Sequence, residues 1–176
     1  MNLKNAVTRV YKADSACHAA SWLTKKGSLT KKLESHTKGN VTVKLVSQKV
    51  SPISAYESKL LRLSAKRWAW IREVELRINN EPWVFARTVV YPLTKQIPFL
   101  FKALGEKPLG RLIYSDPKLH ESEPSLRIYT KRSKIWPHIS RYYPSQDEAI
   151  GRHRKFSMGQ SQILVHEIIL PTAKLS

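Results

Sequence analysis

Residues 68–78, WAWIREVELRI, alternate with a period of two. Trp68, Trp70, Val74, Leu76 and Ile78 fall on one face, and Arg72 falls among them. Ala69, Ile71, Glu73, Glu75 and Arg77 fall on the other. This period marks a strand with one apolar side. An INNE turn follows, then PWVFARTVVYP (82–92), in which Trp83, Phe85, Arg87 and Val89 share a face. A strand, an Asn-Asn turn and a second strand predict a β-hairpin, each arm carrying an arginine in phase with bulky apolar residues. The segment GRHRKFSMGQSQILVHEIILP (151–171) predicts another hairpin around Met158–Gly159. In its second arm Glu167 is in phase with Ile163, Val165 and Ile169. The opposite phase (Leu164, Ile168, Leu170) is also apolar, which predicts a strand covered on both faces. VTVKLVSQKV (41–50) and SLRIYT (125–130) read as further strands.

Between these, DSACHAASWLTKKG (14–27) reads as a helix with Asp14 as cap and Gly27 at its end. SLTKKLESH (28–36) reads as a second, with Ser28 as cap and Leu29 and Leu33 one turn apart. FLFKALGEKPLGRLIYSD (99–116) predicts a helix ending near Gly105 and a short one opened by Pro108. Residues 51–66 read as a connector, and 116–150 are weakly patterned apart from SLRIYT. Together these predict one α+β domain over 1–176, a mainly antiparallel β-sheet with helices on one side.

Composition narrows the class. A chain of 176 residues, 41% hydrophobic with five tryptophans, can bury a core and is not disordered. One cysteine, Cys17, excludes an internal disulfide and a thiolate metal site. The six histidines show no metal-ligand spacing, and no nucleophile elbow, P-loop or dinucleotide fingerprint occurs. No apolar run is long enough for a membrane span. The N-terminus lacks the apolar core of a secretory signal, although three basic residues precede its first acid. The net charge of +18 draws anions. Its cations are spread over TKKGSLTKK, LRLSAKR, YTKRSK and GRHRK, which predicts a diffuse basic surface.

Three ionisable residues, Arg72, Arg87 and Glu167, are thus aimed at faces that look buried. A core salt bridge such as Arg72 to Glu167 is one reading, since a buried charge requires a partner. The other is a ligand pocket. Two arginines and one carboxylate leave positive charge in excess, and a guanidinium grips a carboxylate through two parallel hydrogen bonds.

SLTKKLE, REVELRINNEPWVFARTVVYP, LGEKPLGRLIYSD and GRHRKFSMGQSQILVHEIILP resemble, in this order and at similar separations, segments of the chorismate lyase (chorismate pyruvate-lyase) family. The resemblance runs from about Trp22 to Pro171. It implies an antiparallel sheet whose flanking helices cover an internal ligand pocket. It implies a bacterial carbon–oxygen lyase, converting chorismate to 4-hydroxybenzoate and pyruvate for ubiquinone biosynthesis without a cofactor. By the same resemblance Arg72 and Glu167 are catalytic, Arg87 joins them in binding substrate, and Leu29 and Leu109 supply backbone N–H donors. A monomer in the cytoplasm, with chorismate and 4-hydroxybenzoate as its partners and no nucleic acid, is the matching expectation. Leu29 stands where the family often has methionine, KIWPHISRYYP (134–144) is unmatched, and the chain is unusually basic. Two rival classes share some of these features. A UTRA-like ligand-binding domain has such a fold without chemistry, but the stretch before Trp22 leaves no room for its usual helix-turn-helix partner. A nucleic-acid-binding protein fits the charge, but shows no reading motif.

Overall fold

The computed structural model describes residues 13–37, 41–64, 67–93, 103–115, 117 and 119–175, without the side chains of 13–18 and 158. Helix α1 (Ala13–Thr24) leads to α2 (Leu29–His36), then strand β1 (Val41–Pro52) and helix α3 (Ala55–Leu60). Strands β2 (Trp68–Ile78) and β3 (Glu81–Tyr91) form the first hairpin. Helix α4 (Leu109–Ile113), β4 (His120–Glu121), β5 (Ser125–Thr130) and α5 (Trp136–Ile139) follow. β6 (Glu148–Met158) and β7 (Ser161–Ile169) close the chain as a second hairpin. All pairings are antiparallel, in the order β1-β2-β3-β7-β6-β4, with β5 also on β6.

Both phases of β2, β3 and β7 are buried, so each face of the sheet needs a cover. On the front, Leu23, Leu29 and Leu33 of α1 and α2 pack on Val43, Val74, Leu76 and Val84, while Ile113 of α4 packs on Trp70, Phe156 and Val165. On the rear, Trp136 and Ile139 of α5 cover Phe85, Tyr129 and Ile168, and Leu61 beyond α3 covers Ile71, Val89 and Leu164. Helices therefore flank both faces, not one side as the periodicity predicts. The expected connector at 51–66 contains α3, because Ser54 and Glu57 form a capping box: Ser54 Oγ accepts from Glu57 N, and Glu57 Oε2 accepts from Ser54 N. Helix α1 begins one residue before Asp14, whose side chain lies outside the described residues, as does most of the helix expected over 99–105.

The first hairpin holds the decisive detail. Asn79 and Asn80 both have positive φ, the turn that suits two twisted strands. Ile78 then pairs with Glu81 and Arg77 with Pro82, but Leu76 pairs with Val84. Trp83 is an extra residue, a β-bulge. Beyond it Arg72 stands opposite Thr88 and Arg87 opposite Glu73. Residues paired across strands share a face, so Arg72 points forward and Arg87 points to the rear. Without the bulge the two arginines would have faced each other; one extra residue turns every later side chain over.

Gly151 in β6 lies under the backbone of β7. A Cβ there would come 2.4 Å from the Glu167 carbonyl oxygen and 2.9 Å from the Tyr129 ring. Gly151→Ala is expected to cost about 1–3 kcal/mol through overpacking, read as a lowered urea midpoint.

Candidate active site

The front face encloses a narrow cavity of about 40 Å³, room for about three waters. Arg72, Val74 and Leu76 of β2, Thr88 of β3, Glu167 of β7 and Arg154 of β6 form its floor and walls. Its cover is the start of α2, with Ser28 and Thr30, and the start of α4, with Pro108, Leu109 and Gly110. Leu29 buries its side chain in the core, between two residues that line the cavity. Ser28 caps α2 by accepting from Lys31 N, and the first-turn N–H groups of a helix have no partner inside it. Of the five residues expected at the site, Arg72, Glu167 and Leu109 line the cavity, and Leu29 lies between two residues, Ser28 and Thr30, that do.

Arg72 is 1% exposed. Its Nη2 donates to the carbonyls of Gly105 (2.9 Å) and Lys107 (3.1 Å), while its buried Nε has no hydrogen-bond partner among the described residues. Among the described residues no carboxylate pairs with it. Burial pulls its pKa down to about 10, which leaves it cationic at neutral pH. The Arg72–Glu167 bridge open to the sequence does not form. Glu167 Oε2 instead accepts from Arg152 Nε at 2.6 Å and Arg154 Nη2 at 3.4 Å. Register explains this, since Arg152 sits directly opposite Glu167 on β6.

Arg152 and Arg154, which hold Glu167, are the residues of this site that the sequence pattern did not single out. GRHRK reads as part of a diffuse basic surface, yet both arginines are buried. The signal was there: Arg152, Arg154 and Phe156 share one strand phase. Arg152 also donates to the carbonyls of Lys25 (2.7 Å) and Gly27 (3.3 Å), beyond the C-terminus of α1, where a cation is favoured. Arg154 donates to Gly27 O at 2.9 Å, to Tyr114 Oη at 3.0 Å and to Glu121. Gly27 takes φ +88° to make the turn into α2. Buried arginines thus hold the segments leading into both covers by their carbonyls: Arg152 and Arg154 hold 25–27, and Arg72 holds 105–107.

Arg87 does not reach this cavity. On the rear face its Nε donates to Glu57 at 2.8 Å and its Nη1 to Glu73 at 2.7 Å. His138 Nδ1 lies 3.1 Å from the other Glu73 oxygen. Burial pushes the Glu57 carboxyl upward, but the charge and hydrogen bond of Arg87 outweigh it and hold the pKa at about 2. His166 is held down to about 3 and His153 to about 4, mainly by burial. These shifts share a sign. Below about pH 6.5 the unfolded chain binds histidine protons that the folded protein refuses, and below about pH 4.3 it binds the Glu57 proton as well. Stability is expected to fall as pH drops from 6.5 toward 2. Urea unfolding across that range checks it, and His153→Gln should flatten the part between 6.5 and 4.

Among the described residues no group of three or more His, Cys, Asp or Glu is placed to hold a metal ion, and no helix is long and apolar enough to cross a membrane. The fold is similar to the PhnF C-terminal domain (TM-score 0.58 at 8% identity, covering 78% of this chain and 88% of that one). It is also similar to the ligand-binding domain of a GntR-family transcriptional regulator from Bordetella bronchiseptica (TM-score 0.54 at 12% identity, covering 76% and 87%). Sequence relatives are nearer. A probable chorismate pyruvate-lyase of Shewanella loihica is 35% identical over 155 residues, covering 87% of this chain and 79% of the relative. One of Pseudoalteromonas atlantica is 32% identical over 160 residues, covering 89% and 81%. The chorismate lyase family model matches residues 8–176. By that match over nearly its whole length, the chain belongs to the chorismate lyase family.

Proposed function

We propose that this protein is a chorismate pyruvate-lyase, a carbon–oxygen lyase that converts chorismate to 4-hydroxybenzoate and pyruvate. The observation that carries the reading is Arg72: a buried cation with no carboxylate partner among the described residues, inside a cavity of the right family. A substrate carboxylate supplies the missing charge and displaces the loop carbonyls of Gly105 and Lys107. The cavity as it stands is too small for a six-membered ring with two carboxylates. The two covering segments therefore part for entry and close over the ligand, and Arg72 exchanges carbonyl for carboxylate as they do so.

Breaking the ether bond releases the side chain, a ring proton is lost so that the ring becomes aromatic, and the side-chain methylene gains a proton to give pyruvate. Aromatisation drives the reaction, so the protein needs chiefly to orient the substrate and stabilise charge. Arg72 holds one carboxylate. Backbone N–H groups at the helix starts of Leu29 and Leu109 add donors. Glu167, held by Arg152 and Arg154, faces the oxygen end of the ring and takes part in proton transfer. Arg87, expected at the substrate, acts instead from the rear by fixing β2, β3 and α3. The chain works as a single unit in the cytoplasm and supplies 4-hydroxybenzoate to ubiquinone biosynthesis.

Purified protein mixed with chorismate is expected to release equimolar 4-hydroxybenzoate and pyruvate, followed by absorbance and a coupled pyruvate assay. Chorismate bound without pyruvate above the spontaneous rate would make the protein a binding module. Glu167→Gln is expected to lower kcat about 100-fold while 4-hydroxybenzoate binding persists. Unchanged kcat removes Glu167 from the proton transfer.

A further inference from the structure

The rear face carries a second, larger cavity of about 250 Å³. Arg87, Arg127, Arg132 and Lys134 line it, and among the described residues Glu57 is the only carboxylate in its lining. With Glu73 behind Arg87, four cations meet two carboxylates, an excess of two positive charges. Arg132 and Lys134 are exposed, and among the described residues their side chains pair with no carboxylate.

The deeper groups carry N–H donors for which the described residues provide no acceptor. The Arg127 guanidinium lies 3.5 Å from the centroid of the Tyr56 ring. Stacking of this kind uses the face of the guanidinium and leaves its edge N–H groups to an acceptor. Its Nε is buried without a hydrogen-bond partner. His166, 2% exposed, is also part of the lining, and among the described residues its Nε2 has no hydrogen-bond partner either. The Tyr129 hydroxyl is 2.9 Å from His166 Nδ1, and burial raises the Tyr129 pKa, so the phenol keeps a proton that it can donate to Nδ1. The neutral ring then carries its hydrogen on Nε2, the tautomer favoured by Glu57 Oε1 at 3.8 Å. The cavity thus combines buried unsatisfied N–H donors with exposed cations at its rim.

We propose that this rear cavity is a binding site for a compact dianion, a phosphate or a short dicarboxylate, held by Arg127, Arg132, Lys134 and His166. Guanidinium groups bind both anions through paired hydrogen bonds. The site uses neither Arg72 nor Glu167, so it stands or falls separately from the lyase reading.

Isothermal titration calorimetry on the full chain, in low-salt buffer free of both anions, tests it with inorganic phosphate and with malonate. Saturable one-site binding of at least one probe is expected. The Arg132→Gln/Lys134→Gln double variant, altered only at exposed positions, is expected to weaken it by about tenfold, and Arg127→Gln likewise. Arg72→Met should leave it intact. Tighter phosphate binding identifies a tetrahedral ligand, and tighter malonate binding a carboxylate. Failure of both probes to bind overturns the proposal. So does binding that Arg72→Met abolishes and the rear-face variants retain, because the anion would then sit in the front cavity.

Discussion

Arg72→Met is expected to lower chorismate turnover by about 100- to 1000-fold, the usual cost of losing one oriented charge-stabilising donor, while the melting temperature stays at or above that of the wild type. The two effects share one cause. The guanidinium is buried, its Nε is unsatisfied, and no carboxylate among the described residues offsets its desolvation. A charge in that position destabilises the empty protein. Methionine has a similar reach, fills the space without a charge, and removes the penalty together with the grip on substrate. Steady-state kinetics and a thermal melt on the same preparation check it. A variant that melts far lower while keeping its turnover would make Arg72 a structural residue.

The second large effect falls on the other arginine of the hairpin and has the opposite profile. Arg87→Met is expected to destabilise the fold by about 3–5 kcal/mol, the cost of removing one partner from a buried ion pair. It strands Glu57, at 2.8 Å, and Glu73, at 2.7 Å, with both carboxylates buried. For a domain of this size that corresponds to a melting temperature lower by about 6–20 °C. Because Glu57 closes the capping box of α3, the loss should spread to that helix, whose amides should exchange faster with deuterium. A melting temperature close to wild type would mean that the carboxylates find water or another cation.

These two residues also mark how far a linear reading goes. In the sequence Arg72 and Arg87 are equivalent: each is in phase with tryptophan and other bulky residues on an arm of one hairpin. Their neighbours could not separate them, because the residue that does so is Trp83, which looks like any apolar strand position until the pairing is known. A bulge is a property of two strands together and leaves no period in either. Arg152 and Arg154 illustrate a different loss. Their phase with Phe156 was legible, but a strand rich in cations reads as solvated unless the carboxylate opposite it is known, and Glu167 lies on another strand.

The sequence by itself determined the positions of every strand but β4, both hairpins, the mainly antiparallel α+β class, the cap at Ser28 and the inward aim of Arg72 and Glu167. These rest on local rules: side-chain alternation, turn chemistry and capping all act within a few residues. It also carried the family resemblance, because the segments that bear it are contiguous. Only the tertiary structure decided which face each arginine occupies, that helices cover both faces, and that Glu167 answers to Arg152 and Arg154. Only it left Arg72 without a protein carboxylate among the described residues. Charge pairing in a sheet depends on cross-strand register, and register is fixed by the packing of whole faces and by single inserted residues. Whether a buried arginine is a strut or a binding group therefore depends on what stands opposite it.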